Sequence, residues 1–160
     1  MKLMKMYYIS YGSNMNIPQM ARRCPNTKIY GNGIVKGWKL VFNYHADIIE
    51  TENENDYVPV VVWEITNIND LASLDCYEGY PKYYVKKYID VTMDSGETIN
   101  AMVYVMADDR KGIYPPAEYY FKCILDGYID NRIDPEPLYK AVNYSCDMNN
   151  ITEVNQYNPA

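Results

Sequence analysis

The sequence predicts an α+β fold, a small curled β-barrel of mostly antiparallel strands with flanking helices. Short apolar runs rich in Val, Ile and Tyr recur along the chain and are typical of strands, and segments with helical spacing interrupt them. Strands and helices do not alternate strictly, so a doubly wound parallel sheet fits poorly. The order is strand, helix, several strands, helix, hairpin and two helices, in one domain (residues 1–148) followed by a polar tail (residues 149–160).

The first predicted strand, residues 6–10, ends at a glycine turn that leads into a short helix. Asn14 or Asn16 can cap this helix over residues 17–23, with Pro18 in its first turn. A strand, a turn and a helix start place backbone N–H groups side by side, where they can bind an anion such as a carboxylate. Many such turns contain Gly and Ser for conformational reasons alone, and that interpretation stays open.

The next segment predicts two short strands, a loop and a buried strand. The two strands lie within residues 28–45, and their candidates for the inward face are Val35, Trp38, Leu40 and Phe42. Residues 46–57 are polar and acidic, which predicts a solvated loop. Residues 58–66 form the most strongly apolar run of the chain and predict a central strand, with Pro59 confined to its start.

A capped helix and a hairpin follow. Asn67 predicts the helix cap, and Gly79 and Pro81 predict the helix end. The inward stripe of this helix is predicted to contain Ile68, Leu71 and Leu74. Strands over residues 83–93 and 98–106 flank Asp-Ser-Gly-Glu at residues 94–97, a hairpin turn signature.

Two helices complete the predicted domain. Pro115 and Pro116 open the first, and Gly127 is its predicted C-cap. Tyr120, Cys123 and Ile124 share one face of it. The last helix begins at residues 134–136, Asp-Pro-Glu, and is predicted to bury Leu138, Ala141 and Val142.

The composition limits the possible functions. The 160 residues suit one domain, and 19 Tyr against 2 Phe and 2 Trp predict many half-buried rings that line a surface or a cavity. The net charge of −6 and the lack of a Lys/Arg run disfavour nucleic-acid binding. The apolar run at residues 6–9 is too short for a signal peptide, and nothing later is long enough to span a membrane.

Four scattered cysteines and one histidine do not form a disulfide framework or a metal site by spacing. We therefore expect reduced thiols, a cytoplasmic protein and no metal. His45 is the only histidine and is predicted to be a surface or structural residue, so a serine or cysteine nucleophile lacks a base. Glycine-rich phosphate loops are absent.

Glu78 is the main candidate for chemistry. It stands between Tyr77 and Gly79 at the end of a helix, where aromatic rings would partly desolvate a carboxylate and favour acid–base catalysis. An exposed turn residue is the alternative interpretation. Tyr120 can present its hydroxyl inward from its helix, or serve only as an aromatic residue at the edge of the core.

Three motifs together resemble the γ-glutamylcyclotransferase (AIG2-like) family. Tyr11-Gly12-Ser13-Asn14-Met15 is similar to its Y-G-S-N signature. Leu74-Asp75-Cys76-Tyr77-Glu78-Gly79-Tyr80 is similar to its L-D-x-x-E-G motif, and Pro115-Pro116 with Tyr120 and Gly127 to its P-P-x-x-x-Y…G helix. The motifs occur in the family's order across about residues 6–128.

The resemblance implies a small β-barrel that releases 5-oxoproline from a γ-glutamyl amino acid, amine or related amide without metal or cofactor. It implies that Glu78 is the catalytic acid–base residue. The residues that it implies for substrate binding are Tyr8, Ile9, Ser10, Tyr11, Gly12, Ser13, Asn14 and Tyr120. The segment at residues 80–84 is rich in Tyr, which departs from the family's sequence pattern. It is expected on the side of the pocket that receives the leaving group.

The expected partner is a small molecule with a γ-glutamyl-like group, bound by a monomer or homodimer, with no nucleic acid and no membrane. A non-catalytic module that binds a small metabolite on the same fold is the alternative. A structural protein that interacts through a Tyr-rich surface is a third interpretation.

Overall fold

The computed structural model describes residues 2–152. Its strands are β1 (Lys2–Ser10), β2 (Lys28–Lys36), β3 (Trp38–Asn43), β4 (His45–Glu50), β5 (Tyr57–Asn67), β6 (Tyr84–Met93) and β7 (Thr98–Met106). Its α-helices are α1 (Ile17–Arg23), α2 (Ile68–Glu78), α3 (Glu118–Asp130) and α4 (Glu136–Met148). Single 3-10 turns span Ser13–Met15 and Asp108–Arg110.

Five strands close into a barrel in the order β1-β5-β2-β6-β7, and β3 and β4 form a separate two-stranded sheet. β1 runs antiparallel to β5 and parallel to β7, and its Tyr8 and Ile9 pair with Met102 and Val103 in the middle of β7. The other barrel pairings are antiparallel. The predicted α+β fold with a curled, mostly antiparallel barrel is confirmed.

The predicted central strand is β5, which pairs with both β1 and β2. Its residues from Val58 to Trp63 are buried. β-branched side chains suit this position because they pack well on a pleated surface that is covered on both faces. α4 packs against β3, and its residues Leu138, Ala141 and Val142 are all buried as predicted.

The local signals for the starts of α1 and α2 and for the turn between β6 and β7 are confirmed. The Asn16 side chain accepts a hydrogen bond from the Gln19 N–H and begins α1, and Asn67 does the same for Asn69 at the start of α2. β6 and β7 flank the predicted turn, in which Gly96 has a φ of +92°. β1 begins at Lys2, earlier than the predicted strand, because Lys2 also pairs with Asn67 of β5, with a register shift before Met6.

The predicted solvated loop at residues 46–57 is wrong over its first part. His45–Glu50 form β4, which pairs with β3, and Ala46, Asp47 and Ile48 are buried. Asp47 can be buried because its Oδ1 accepts a hydrogen bond from the Met106 N–H at 2.9 Å and its Oδ2 accepts one from the Asn43 side chain at 3.2 Å. The loop is limited to the residues between β4 and β5.

Two predictions about helices are also wrong. Gly127 is not a C-cap but lies inside α3, where a Cβ would come within 2.8 Å of the Met15 carbonyl carbon. Glycine is therefore needed there for close packing of α3 on the first 3-10 turn. Ile68 was expected to face inward but is 39% exposed, and in α2 the fully buried residues are Asp70 and Leu74.

The C-terminal segment is described as far as residue 152. The Asn149 side chain donates to the Ile113 carbonyl at 2.8 Å, and Ile151 packs against the core. Residues 153–160 of the predicted polar tail lie outside the described residues. None of the helices within residues 2–152 combines the length and the apolarity that a bilayer crossing requires.

Candidate active site

A cavity of about 530 Å³ lies at the end of the barrel where β1 and β7 terminate. Seven tyrosines contribute to its lining: Tyr8, Tyr11, Tyr77, Tyr83, Tyr84, Tyr104 and Tyr120. Seven of the 19 tyrosines therefore line a cavity, which agrees with the expectation that tyrosine rings line a surface or a cavity. A lining of rings with inward hydroxyls suits a small polar ligand, because the rings exclude water while the hydroxyls can pair with the ligand.

The predicted site residues converge on this cavity with one exception. Glu78, Tyr8, Ile9, Tyr11, Gly12, Ser13, Asn14 and Tyr120 line it. Ser10 does not: its hydroxyl donates to the Val61 carbonyl at 2.8 Å and accepts from the Trp63 indole at 3.0 Å. Both contacts hold the Ser10 side chain against β5, so Ser10 anchors β1 to that strand.

The local backbone places Glu78 at the cavity. It is the last residue of α2, and Gly79 ends the helix with a φ of +63°. A left-handed residue is needed there, and a Cβ at Gly79 would come within 2.4 Å of the Tyr83 ring. The helix therefore stops at the residue that carries the carboxyl group.

The environment of Glu78 favours its protonated form. Burial of the carboxyl group raises its pKa from the ordinary 4.5 to about 7, while the nearby Arg23 cation acts in the opposite direction. One carboxyl oxygen accepts a hydrogen bond from the Asn14 side-chain amide at 3.3 Å. A carboxyl group with a pKa near neutrality can both accept and return a proton at physiological pH.

A hydrogen-bonded network connects the glycine turn to α2. The Asn14 amide nitrogen also donates to the Tyr8 hydroxyl at 2.8 Å, and the Asn14 carbonyl oxygen accepts from Arg23. Ser13 and Tyr77 share a hydrogen bond between their hydroxyls at 2.8 Å. The first and second sequence motifs are thus in direct contact although 64 residues separate Asn14 from Glu78.

The opposite wall is organised around the backbone of Ala46. The Tyr84 hydroxyl donates to the Ala46 carbonyl at 2.7 Å, and the Ala46 N–H donates to the Tyr120 hydroxyl at 3.1 Å. Burial raises the pKa of both tyrosines far above the ordinary value, so both hydroxyls stay neutral. The Tyr120 O–H proton is not used in the contact with Ala46, because that contact uses a lone pair of its oxygen. It is therefore available to a ligand.

Three residues that the sequence did not assign to the site lie at the cavity or behind its lining. His45 lines the cavity, with its ring edge-on to Tyr120 at 5.2 Å between centroids, and burial lowers its pKa. Arg23 contacts Asn14 from outside the cavity. Asp47 accepts a hydrogen bond from the Met106 N–H and so joins β4 to β7. For Asp47, the apolar neighbours Ala46 and Ile48 were a signal of burial. His45, Arg23 and Asp47 do not belong to a recognisable sequence motif.

The cavity contains one carboxyl group and several neutral donors, an arrangement suited to proton transfer. Among the described residues, no group of three or more His, Cys, Asp or Glu side chains is placed to hold a metal ion. All four cysteines lie within the described residues and are free thiols.

Comparisons with known proteins agree with the fold and the motifs. The family model for "Gamma-glutamyl cyclotransferase, AIG2-like" matches residues 8–122. The gamma-glutamylcyclotransferase of Bos taurus is 29% identical over 161 residues, which covers 94% of this chain and 80% of that protein. A Methanocaldococcus jannaschii protein, provisionally named a gamma-glutamylcyclotransferase, is 32% identical over 81 residues, or 49% of this chain and 65% of that protein.

Two solved structures are similar over most of their length. A gamma-glutamyl cyclotransferase has a TM-score of 0.73 and 25% identity, covering 92% of this chain and 88% of that one. An uncharacterized human protein also has a TM-score of 0.73, with 26% identity, covering 98% of this chain and 92% of that one.

Proposed function

Because the chain belongs to the γ-glutamylcyclotransferase (AIG2-like) family, we propose that it releases 5-oxoproline from a γ-glutamyl amino acid, amine or related amide. Glu78 is the proposed general acid and base. The observation that carries the proposal is the Glu78 carboxyl group, which lines the cavity with a pKa raised to about 7 and is hydrogen-bonded to Asn14 of the glycine turn.

The proposed reaction is intramolecular. The α-amine of the substrate attacks its own γ-carbonyl carbon and forms the C–N bond of a five-membered ring, and the C–N bond to the leaving amine then breaks. Nucleophile and electrophile are already tethered, so the protein must mainly fold the substrate into a conformation close to attack. A cavity lined by rigid aromatic rings is suited to this because it restricts the substrate to few conformations.

Proton transfer is assigned to Glu78. The attacking amine loses a proton as the ring closes, and the leaving amine needs one as it departs, so a single carboxylate can transfer the proton from one nitrogen to the other. The products are 5-oxoproline and the free amine, and Glu78 is returned as a carboxylate. A pKa near 7 matches this role because both protonation states of the carboxyl group are then populated near neutral pH.

The glycine turn is the proposed anchor for the substrate carboxylate. Gly12, Ser13 and Asn14 line the cavity at the beginning of a 3-10 turn. The first N–H groups of a helical turn have no acceptor within the turn and can bind an anion. On the opposite wall, the neutral Tyr120 hydroxyl can donate to the γ-carbonyl oxygen as negative charge develops on it.

We further propose a cytoplasmic location, which the four free thiols support because unpaired cysteines are typical of reducing compartments. A monomer or a homodimer remains the prediction for the oligomeric state.

The test is release of 5-oxoproline by the purified protein, measured by liquid chromatography and mass spectrometry. The substrate panel contains γ-glutamyl amino acids, γ-glutamylamines and ε-(γ-glutamyl)lysine. We expect turnover of at least one class and loss of activity in Glu78→Gln. Glu52→Gln is the matched control, since Glu52 is exposed in the loop between β4 and β5 and the substitution removes the same charge.

Two outcomes of this assay would contradict the proposal. Full activity in Glu78→Gln contradicts the assigned role of Glu78. Binding of panel compounds by the wild-type protein without any turnover identifies a metabolite-binding module instead of an enzyme.

A further inference from the structure

We propose that Arg23 is a positioning residue, which orients the Asn14 amide so that its NH₂ group faces Glu78. Arg23 is the last residue of α1 and does not line the cavity. The inference rests on the proposed role of Glu78 for its effect on catalysis, but the orientation of Asn14 can be measured independently.

The chemistry of the side chains fixes the direction of the amide. A guanidinium group only donates hydrogen bonds, so it can pair with the Asn14 carbonyl oxygen but not with the NH₂ group. The NH₂ group must then lie on the other side, where it donates to the Tyr8 hydroxyl and to Glu78. The reversed amide would place donors against Arg23 and an acceptor against the carboxylate, and both contacts would be repulsive.

The position of Arg23 is itself determined. Its guanidinium lies over the Tyr77 ring at 3.3 Å from the centroid, a cation–π contact, and the Tyr77 hydroxyl is hydrogen-bonded to Ser13. Tyr77 directly precedes Glu78 on α2. Arg23 therefore contacts both segments that form the proposed site, the glycine turn through Asn14 and the helix end through Tyr77.

Burial makes the amide orientation consequential. Asn14 is 3% exposed, so a misdirected amide has little water to satisfy it. Hydrogen bonds to charged groups contribute more than neutral ones, and a small misplacement of a reacting group can lower a rate by up to about 100-fold. Since Arg23 lies outside the cavity, its loss should lower kcat by about 10- to 100-fold and change KM little.

Two substitutions separate orientation from charge and stacking. Lysine also only donates, so Arg23→Lys should keep the Asn14 orientation and retain more activity than Arg23→Gln. Glutamine can donate or accept, so Arg23→Gln removes the constraint on Asn14. Arg22→Gln is the matched control, because Arg22 is the exposed neighbour on the same helix and the charge change is identical.

The orientation is read from the Asn14 side-chain amide resonances in ¹⁵N-labelled protein, assigned with Asn14→Asp. We expect one sharp pair in the wild type, the Arg22→Gln variant and the Arg23→Lys variant, and shifted or doubled resonances in Arg23→Gln. Unchanged Asn14 resonances in Arg23→Gln overturn the inference. If that variant does not fold, loss of the wild-type resonances in Arg23→Lys, confirmed as folded by thermal denaturation, overturns it.

Kinetics give a second, independent test. In an Asn14→Ala background, Arg23→Gln should change the plateau kcat of the pH profile less than twofold if Arg23 acts through Asn14, since the plateau does not depend on the effect of the Arg23 charge on the Glu78 pKa. A full additive loss at the plateau overturns the inference. If the wild-type protein releases no 5-oxoproline while the Asn14 resonances respond as expected, the proposed function fails and the orientation by Arg23 stands.

Discussion

Replacing Glu78 by Gln should stabilise the protein, and the gain should grow with pH. The folded state raises the pKa of this carboxyl group from 4.5 to about 7, so the folded state binds the proton more tightly than the unfolded chain does. Ionisation of Glu78 therefore costs folding free energy, beginning near pH 4.5 and reaching its full value above pH 7. Glutamine resembles the protonated acid and avoids this cost.

The magnitude follows from the two pKa values. A difference between 4.5 and about 7 corresponds to about 3 kcal/mol at 25 °C. The half-buried position of the residue leaves some solvent screening, which reduces the expected gain to about 2 kcal/mol. For a chain of this length, that free energy raises the melting temperature by about 4 to 8 °C.

The measurement is urea denaturation of the wild type, Glu78→Gln and Glu52→Gln at pH 4, 5, 6, 7 and 8. We expect wild type and Glu78→Gln to unfold at the same urea concentration near pH 4 and to diverge as the pH rises. Glu52→Gln removes the same charge at an exposed position and should follow the wild type throughout. A difference between Glu78→Gln and wild type that does not depend on pH would refute the reasoning about burial.

Two further predictions concern single groups. The ¹³C resonance of the Glu78 carboxyl group should titrate with a midpoint of about 7, and Arg23→Gln should raise that midpoint because the Arg23 cation favours the carboxylate; a wild-type midpoint near 4.5 contradicts the desolvation. Gly127→Ala should lower the free energy of unfolding by about 1 to 3 kcal/mol, since its Cβ would meet the Met15 backbone. Gly112→Ala, with no atom within 4 Å of the added Cβ, is its control in the same urea titration, and equal stability of the two variants would contradict the close contact.

Features that depend on neighbouring residues could be predicted from the sequence. Asn16 and Asn67 begin their helices through hydrogen bonds that span two or three residues, and the turn at residues 94–97 sets the boundaries of β6 and β7. The apolar run that became β5 needed no long-range information either. In each case the physical cause lies within the segment.

The errors arise where a distant part of the chain determines the structure. Asp47 was placed in a solvated loop because a carboxylate is costly to bury, but the Met106 N–H, 59 residues away, compensates that cost. Gly127 resembled a helix stop, yet α3 continues through it because the close contact with Met15 is the reason for the glycine. Neither partner can be found from local spacing.

In the candidate site, too, some features could be predicted from the sequence and others depend on the fold. The motifs placed Glu78 and the glycine turn in one site before any geometry was known, and the cavity contains both. Arg23 follows Asn14 by nine residues at the end of an ordinary helix, where a cation is expected for dipole reasons alone. Its contact with Asn14 depends on how α1 folds back across the turn.

Two short seams close the barrel. Among the described residues, β1 and β7 are joined by two pairs of facing residues, and so are β2 and β6. The other strand pairings of the barrel are longer. The barrel therefore consists of a three-stranded unit, β1-β5-β2, joined to the hairpin β6-β7. The cavity lies across the first seam, with Tyr8 and Tyr11 on one side and Tyr84 and Tyr104 on the other. Local opening of that seam would separate the cavity walls while both units stay folded, so the site would be lost before the fold.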